Sequence, residues 1–118
     1  MPIFETWDIV RVPFPYVERP VRQRRPALVI AAEDPKADHA LLWLAMITSA
    51  ANRGWRGDVA ISDLSEAGLP VPSVVRPAKL ATIEGRDVEP LGRLPIADRC
   101  GVSLYLHSRL RGALSGGH

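Results

Sequence analysis

The chain has 118 residues and a mass of 12.9 kDa, the size of one domain. Apolar residues make up 47% and charged residues 24%, values of a globular chain that exclude disordered, collagen-like and coiled-coil classes. The longest unbroken apolar run, residues 40–47, is far short of the about 20 residues a membrane helix needs.

The N-terminal residues lack a basic start followed by an apolar stretch, so no secretory signal is expected. Cys100 is the only cysteine, which leaves no internal disulfide and no cysteine metal cluster. A reducing, cytoplasmic setting is expected. The net charge is only +2, yet the basic residues are 13 Arg and 2 Lys. Arginine presents a planar fork of donors that matches phosphate, although a GC-rich genome also favours it. Arg19, Arg22, Arg24 and Arg25 fall within seven residues with only Glu18 to offset them. A basic patch of this kind suits a polyanion such as nucleic acid.

In chain order, residues 7–14 form a first strand rich in β-branched residues. Pro13, Pro15 and Pro20 then impose an irregular loop that carries the arginines. Residues 26–32 are a short apolar run suited to a buried strand, and residues 33–39, polar and holding Pro35, form a loop. Residues 40–47 form a second buried strand with Trp43 in the core, and residues 57–61 a short third one. Residues 62–66 make a helical turn capped by Ser62 or Asp63 and ended by Gly68. Strand is expected on either side of Pro77 within residues 73–84, and a final short strand over residues 91–94. From Pro95 the period changes. Val102, Leu106, Leu110 and Leu114 recur at helical spacing, so an amphipathic helix ends the chain. Short strands followed by one helix predict a small β-barrel with the helix packed on it.

If residues 26–32 and 40–47 pair as an antiparallel hairpin with residue 32 near residue 40, Arg24 and Arg25 fall opposite Ile47 and Thr48. The arginine pair and the Thr48–Ser49 hydroxyls then share one end of the hairpin, a plausible phosphate site. His39, His107 and His118 read as surface or helix-packing residues, and Cys100 as a small apolar filler. Trp55, in a loop between Arg53 and Arg56, either stacks an unpaired base or anchors its loop on the barrel.

The ordered set Trp7-Asp-Ile-Val-Arg-Val-Pro-Phe14, Arg24-Arg-Pro-Ala-Leu-Val-Ile30, Ala45-Met-Ile-Thr-Ser49, Gly68-Leu-Pro-Val-Pro-Ser-Val-Val-Arg-Pro-Ala-Lys-Leu80 and Leu91-Gly-Arg-Leu94 resembles the successive motifs of the PemK/MazF family. The resemblance runs over roughly residues 7–112, and although each motif is weak alone, the ordered set is specific. It implies one domain over residues 1–118, mainly β with a C-terminal helix: the SH3-like small barrel of PemK/MazF/CcdB-like toxins. It implies the toxin of a type II toxin–antitoxin pair, a homodimer and a metal-independent endoribonuclease. Such an enzyme cuts single-stranded RNA at short sequences through the ribose 2′-hydroxyl, leaving a 2′,3′-cyclic phosphate and a 5′-hydroxyl.

Carried over residue by residue, the resemblance implies catalytic roles for Arg25, Thr48 and Arg76. Arg19, Arg22, Arg24, Ser49, Arg53, Trp55 and Lys79 would complete the RNA contacts, with no metal and no cofactor. Fixed donors aimed at the charge of the phosphorane are the physical source of acceleration. The implied partners are a cognate antitoxin, single-stranded RNA and a second copy of the chain. DNA would be met only indirectly through an antitoxin complex, and no membrane is involved. The dimer face would use the C-terminal helix and an edge strand. Two positions depart from the family pattern. The branch that uses the Val-Val-Arg arginine has an aspartate two residues on, where this chain has Ala78. The general base would then be Glu84, Glu18, a water or an arginine. Where many relatives have a glycine before Asp-Ile, this chain has Trp7, read as a packing change. The alternative readings are a non-catalytic barrel toxin or binding module acting on a protein target, or a degenerate toxin kept in an antitoxin regulatory complex.

Overall fold

The structure, a computed structural model, describes residues 3–13, 24–33, 41–85 and 88–116. Arg19, Arg22, Glu18, Pro15, Pro20, His39 and His118 lie outside the described residues. Among the described residues there are six strands: β1 (Asp8–Val12), β2 (Arg25–Glu33), β3 (Leu41–Ser49), β4 (Val59–Ala60), β5 (Ser73–Glu84) and β6 (Glu89–Arg93). Between them lie a 3-10 turn (Ala50–Asn52) and a one-turn helix α1 (Leu64–Ala67), and the chain closes with α2 (Ile96–Leu114). The strand order is β4-β5-β3-β2-β1-β6 and every pairing is antiparallel. The sheet curls into a half-barrel, and the expected mainly-β fold with a C-terminal helix is what forms.

Curling requires local kinks, and three register shifts supply them. They fall between Ile9 and Val10, between Val29 and Ala31, and between Ala45 and Met46. At the last, Ala45 pairs with Leu80 but Met46 pairs with Arg76, so residues 77–79 stand out of the ladder. Pro77, which has no N–H to give, sits there fully buried.

Alternation along the strands sends side chains to two faces, and both faces are covered. Val10, Val12, Ala27, Val29, Leu42, Leu44 and Met46 pack with Phe4 and Val88 on one. Ile9, Leu28, Ala45, Ile47 and Val75 pack with Ala67, Leu94 and Val102 on the other. Trp43 alternates onto this second face but lies at its uncovered end, so it is 44% exposed instead of joining the core as expected. The helix explains why. Of α2 only Asp98 and Val102 are buried, Leu106 is half-buried, and Leu110 and Leu114 are exposed. The expected apolar stripe therefore packs on the sheet only in its first half.

Local chemistry sets the ends of the elements. Asp63 caps α1 by accepting from Glu66 N at 3.1 Å, and Asp98 accepts from the backbone and hydroxyl of Ser62, tying the start of α2 to this turn. Gly68 ends α1 at φ +73°, and a β-carbon there would lie 2.0 Å from Leu91 O, so only glycine lets α1 lie this close to β6. Trp7 holds φ +81°, the one non-glycine residue in the left-handed region among the described residues. Its N–H donates to Val29 O and its carbonyl accepts from Leu94 N, both at 2.9 Å. The departure from glycine at this position is therefore conformational as well as a matter of packing.

Candidate functional site

The first side chains of the site come from the ends of β2 and β3. Their pairing places Ala27 against Met46, and the same register carried outward sets Arg25 level with Thr48. The simple hairpin count is off by one residue: Ala32 pairs with Leu42 and not near residue 40, and the bulge between Val29 and Ala31 takes back one of those two residues. Arg25, Thr48 and Ser49 line one cleft of about 260 Å³. Arg11 of β1, Arg24 and Ser73 complete its polar lining, and residues 68–71 with Leu91 form its apolar wall. Three arginines and three hydroxyls thus converge on one concavity, a donor-rich surface suited to an anion.

Each hydroxyl is tied to the backbone or a neighbour. Thr48, 6% exposed, accepts from Asn52 Nδ2 at 3.2 Å. Ser49 caps the 3-10 turn by accepting from Ala51 N, and Ser73 donates to Val71 O. Arg24 pairs with Glu89, whose other carboxylate oxygen lies 3.7 Å from Arg11. These pairs are half-exposed, so they orient the arginines more than they stabilise the fold.

Arg76 is placed elsewhere. Its guanidinium meets Asp58 in a two-pronged pair, Nε to Oδ1 and Nη2 to Oδ2, each at 3.0 Å. Nη2 also donates to Asn52 O at 2.7 Å. The two side chains are 6% and 8% exposed, and the ring of Trp55 lies over the guanidinium at 4.4 Å. Asp58 Oδ2 further accepts from the N–H groups of Gly54 and Trp55 at 3.2 Å. The hydrogen bonds from Arg76 hold the Asp58 carboxyl below the ordinary carboxylate value; its burial opposes this, and the two amides add to the lowering.

The expected residues therefore divide. Arg24, Arg25, Thr48 and Ser49 share the cleft. Arg76 does not line it, because Asp58 and Asn52 occupy its donors. Arg53, Trp55 and Lys79 also lie off the cleft: Arg53 and Trp55 are exposed on the loop after β3, and Lys79 is half-buried in the out-of-register segment of β5. Glu84, one expected base, pairs in register with Leu41, whereas Thr48 pairs with Val74. Seven residues of β3, about 23 Å of strand, separate these positions, so Glu84 does not reach the cleft. Arg11, Ser73, Asn52 and Asp58 escaped the sequence reading. Arg11 left a faint trace as the one cation of an otherwise apolar stretch of β1. Asp58 had a trace only in strand register, since Val59 pairs with Val75 and the preceding residue meets Arg76.

Solved structures that share this fold include three toxin structures. MazF (Form-I) from Deinococcus radiodurans is 22% identical, with a TM-score of 0.73 over 94% of this chain and 99% of that one. The MazE-MazF (Form-II) structure from the same organism is 20% identical, with a TM-score of 0.69 over 93% of this chain and 97% of that one. Mycobacterium tuberculosis toxin MazF-mt6 is 24% identical, with a TM-score of 0.61 over 77% of this chain and 90% of that one. No curated protein matches the sequence. The family described as PemK-like, MazF-like toxin of type II toxin-antitoxin system matches residues 5–107. With nearly the whole chain matched and the half-barrel in place, the protein belongs to the PemK-like, MazF-like toxins.

Proposed function

We propose that this toxin is a metal-independent, sequence-specific endoribonuclease that cleaves single-stranded RNA through the ribose 2′-hydroxyl. The products are a 2′,3′-cyclic phosphate and a 5′-hydroxyl. The observation that carries the reading is the meeting of Arg25, Thr48 and Ser49 with Arg11 and Arg24 in one cleft. Attack of the 2′-oxygen on the adjacent phosphorus builds negative charge on the non-bridging oxygens, and the bond to the 5′-oxygen breaks. Arg25 gives its fork of donors to those oxygens, and the Thr48 and Ser49 hydroxyls add one each. Donors fixed before reaction are worth most where the charge develops. The need for a 2′-hydroxyl excludes DNA as substrate. Arg53, Trp55 and Lys79 extend the contacts along the strand outside the cleft, Arg19 and Arg22 add further RNA contacts, and cytoplasmic RNA is the target.

The protein acts as a homodimer. Trp43, Leu80 and Leu110 are exposed together around an apolar groove of about 400 Å³ that Ile30 and Leu106 also line. A second copy covers this face, which is built from β2, β3, α2 and the stretch of β5 beyond its pairing with β4. The partner that restrains the toxin is a cognate antitoxin, as a MazE-MazF structure of similar fold suggests. Its disordered tail lies in the arginine-lined cleft and excludes RNA, and DNA is met only through that complex.

Purified protein incubated with a long single-stranded RNA in EDTA tests the reading. Native protein is expected to yield cyclic-phosphate ends, and folded Arg25→Ala to cleave about 100- to 1,000-fold more slowly. Undiminished cleavage by folded Arg25→Ala removes the assigned site. No cleavage by native protein turns the reading to a toxin that acts by binding a protein.

A further inference from the structure

We propose that Arg76 and Asp58 form a buried positioning pair that acts through Asn52 to aim the Thr48 hydroxyl into the cleft; this rests on the nuclease reading above. None of Arg76, Asp58 and Asn52 lines the cleft, so the role proposed for them is positioning. They form a chain of fixed groups that ends on one that does. Asp58 closes the loop after β3 by accepting from the Gly54 and Trp55 amides and both prongs of Arg76. Arg76 in turn clamps the Asn52 carbonyl at 2.7 Å. With its backbone held there, Asn52 directs Nδ2 to Thr48 Oγ1 at 3.2 Å.

The consequence follows from the hydroxyl's inventory. An amide N–H can only donate, so Thr48 Oγ1 accepts from Asn52 and its own proton is left to donate elsewhere. Thr48 is thereby set as a donor whose oxygen is fixed from behind. Such a donor suits a phosphate that gains charge, and it needs no reorientation as the reaction proceeds. The carboxylate that relatives of the Val-Val-Arg branch carry two residues after the arginine is absent at Ala78. Asp58 meets the same arginine from the neighbouring strand end, but as a structural clamp. Trp55, laid over the guanidinium, keeps water from the pair. Burial makes the geometry stiff: an arginine and a carboxylate this enclosed cannot separate without leaving two uncompensated charges.

The test is a set of full-length variants read in two independent ways. The first reading is kinetic. Asn52→Ala, which removes only the last bond of the chain, is expected to lower kcat on the order of tenfold with KM within about twofold. Asp58→Asn is expected to lower kcat by a similar factor. The double variant Asn52→Ala/Asp58→Asn is expected to fall no further than Asn52→Ala alone, because both act through one bond. Multiplying losses in the double variant would overturn the proposal, since general damage to the fold adds independently. If Asp58→Asn does not fold, the cycle of Asn52→Ala with Thr48→Ala decides by the same criterion. The second reading needs no activity. The Thr48 methyl signal in 13C-labelled protein is expected to move in Asp58→Asn and to stay put when the same change is made in an Asn52→Ala background. An unmoved Thr48 methyl in folded Asp58→Asn overturns the positioning role. If native protein cleaves no RNA, the nuclease reading fails, and the methyl signal alone still decides whether the pair aims Thr48.

Discussion

Trp7 gives the sharpest check on the link between backbone geometry and sequence. It sits at φ +81°, where an L side chain crowds the following carbonyl at a cost of about 1–2 kcal/mol. Its ring is half-buried against the Ile9 and Leu28 cluster, and Arg99 lies 5.6 Å from its centroid. Replacing it by alanine or by glycine removes the ring equally, a loss of about 2 kcal/mol for an aromatic buried only in part. The two variants then differ in the backbone alone. At an ordinary position alanine is the more stable by about 0.5–1 kcal/mol, because glycine has more freedom to lose. At Trp7 alanine keeps the left-handed penalty and glycine escapes it. Trp7→Gly is therefore expected to exceed Trp7→Ala by about 0.5–1 kcal/mol, roughly 2–4 °C in Tm for a chain of this length. Urea denaturation of both variants, followed by circular dichroism, measures the difference. Equal midpoints, or the usual order with alanine ahead, would refute the reasoning that the conformation selects glycine in relatives.

Other outcomes follow from the same structure. The folded-state carboxyl of Asp58 titrates below its unfolded value, so its contribution is fully present above about pH 4 and is lost as pH falls through the folded value. The stability gap between native protein and Asp58→Asn is accordingly expected to shrink as pH drops below about 4, read by denaturant titration across that range. Gly68→Ala puts a β-carbon against Leu91 O in a left-handed conformation and should cost about 3 kcal/mol, checked by thermal unfolding. Leu110→Glu places a charge on the apolar groove and is expected to weaken self-association about thirtyfold or more, measured by sedimentation equilibrium, with the monomer still folded.

Much of the architecture was legible because local chemistry and periodicity carry it. The β-branched run of β1, the apolar runs of β2 and β3, the Asp63 cap, the Gly68 stop and the start of α2 after Pro95 all stand in the chain as residue types with one favoured conformation. The hairpin of β2 and β3 brought Arg25 toward Thr48 by counting alone to within one residue, because the loop end pairs two residues off the expected register and the bulge takes one of them back. What the count could not supply was Arg11, which reaches the cleft from β1 by a pairing at the other side of β2, and Ser73, which arrives on β5.

The division has a physical cause. Secondary structure and caps depend on neighbours within a few residues, and those neighbours are written in order along the chain. Whether an arginine faces a phosphate or a carboxylate depends on what another strand sets beside it. In sequence, the resemblance gives Arg76 a catalytic role at the phosphate. Only the tertiary structure, through the register of β4 against β5, sets Asp58 at its side and lays the Trp55 ring over its guanidinium. Trp43 and the far half of α2 make the same point for apolar groups. Their hydrophobicity is plain in the sequence, but the reach of one helix over one curled sheet decides which of them it covers.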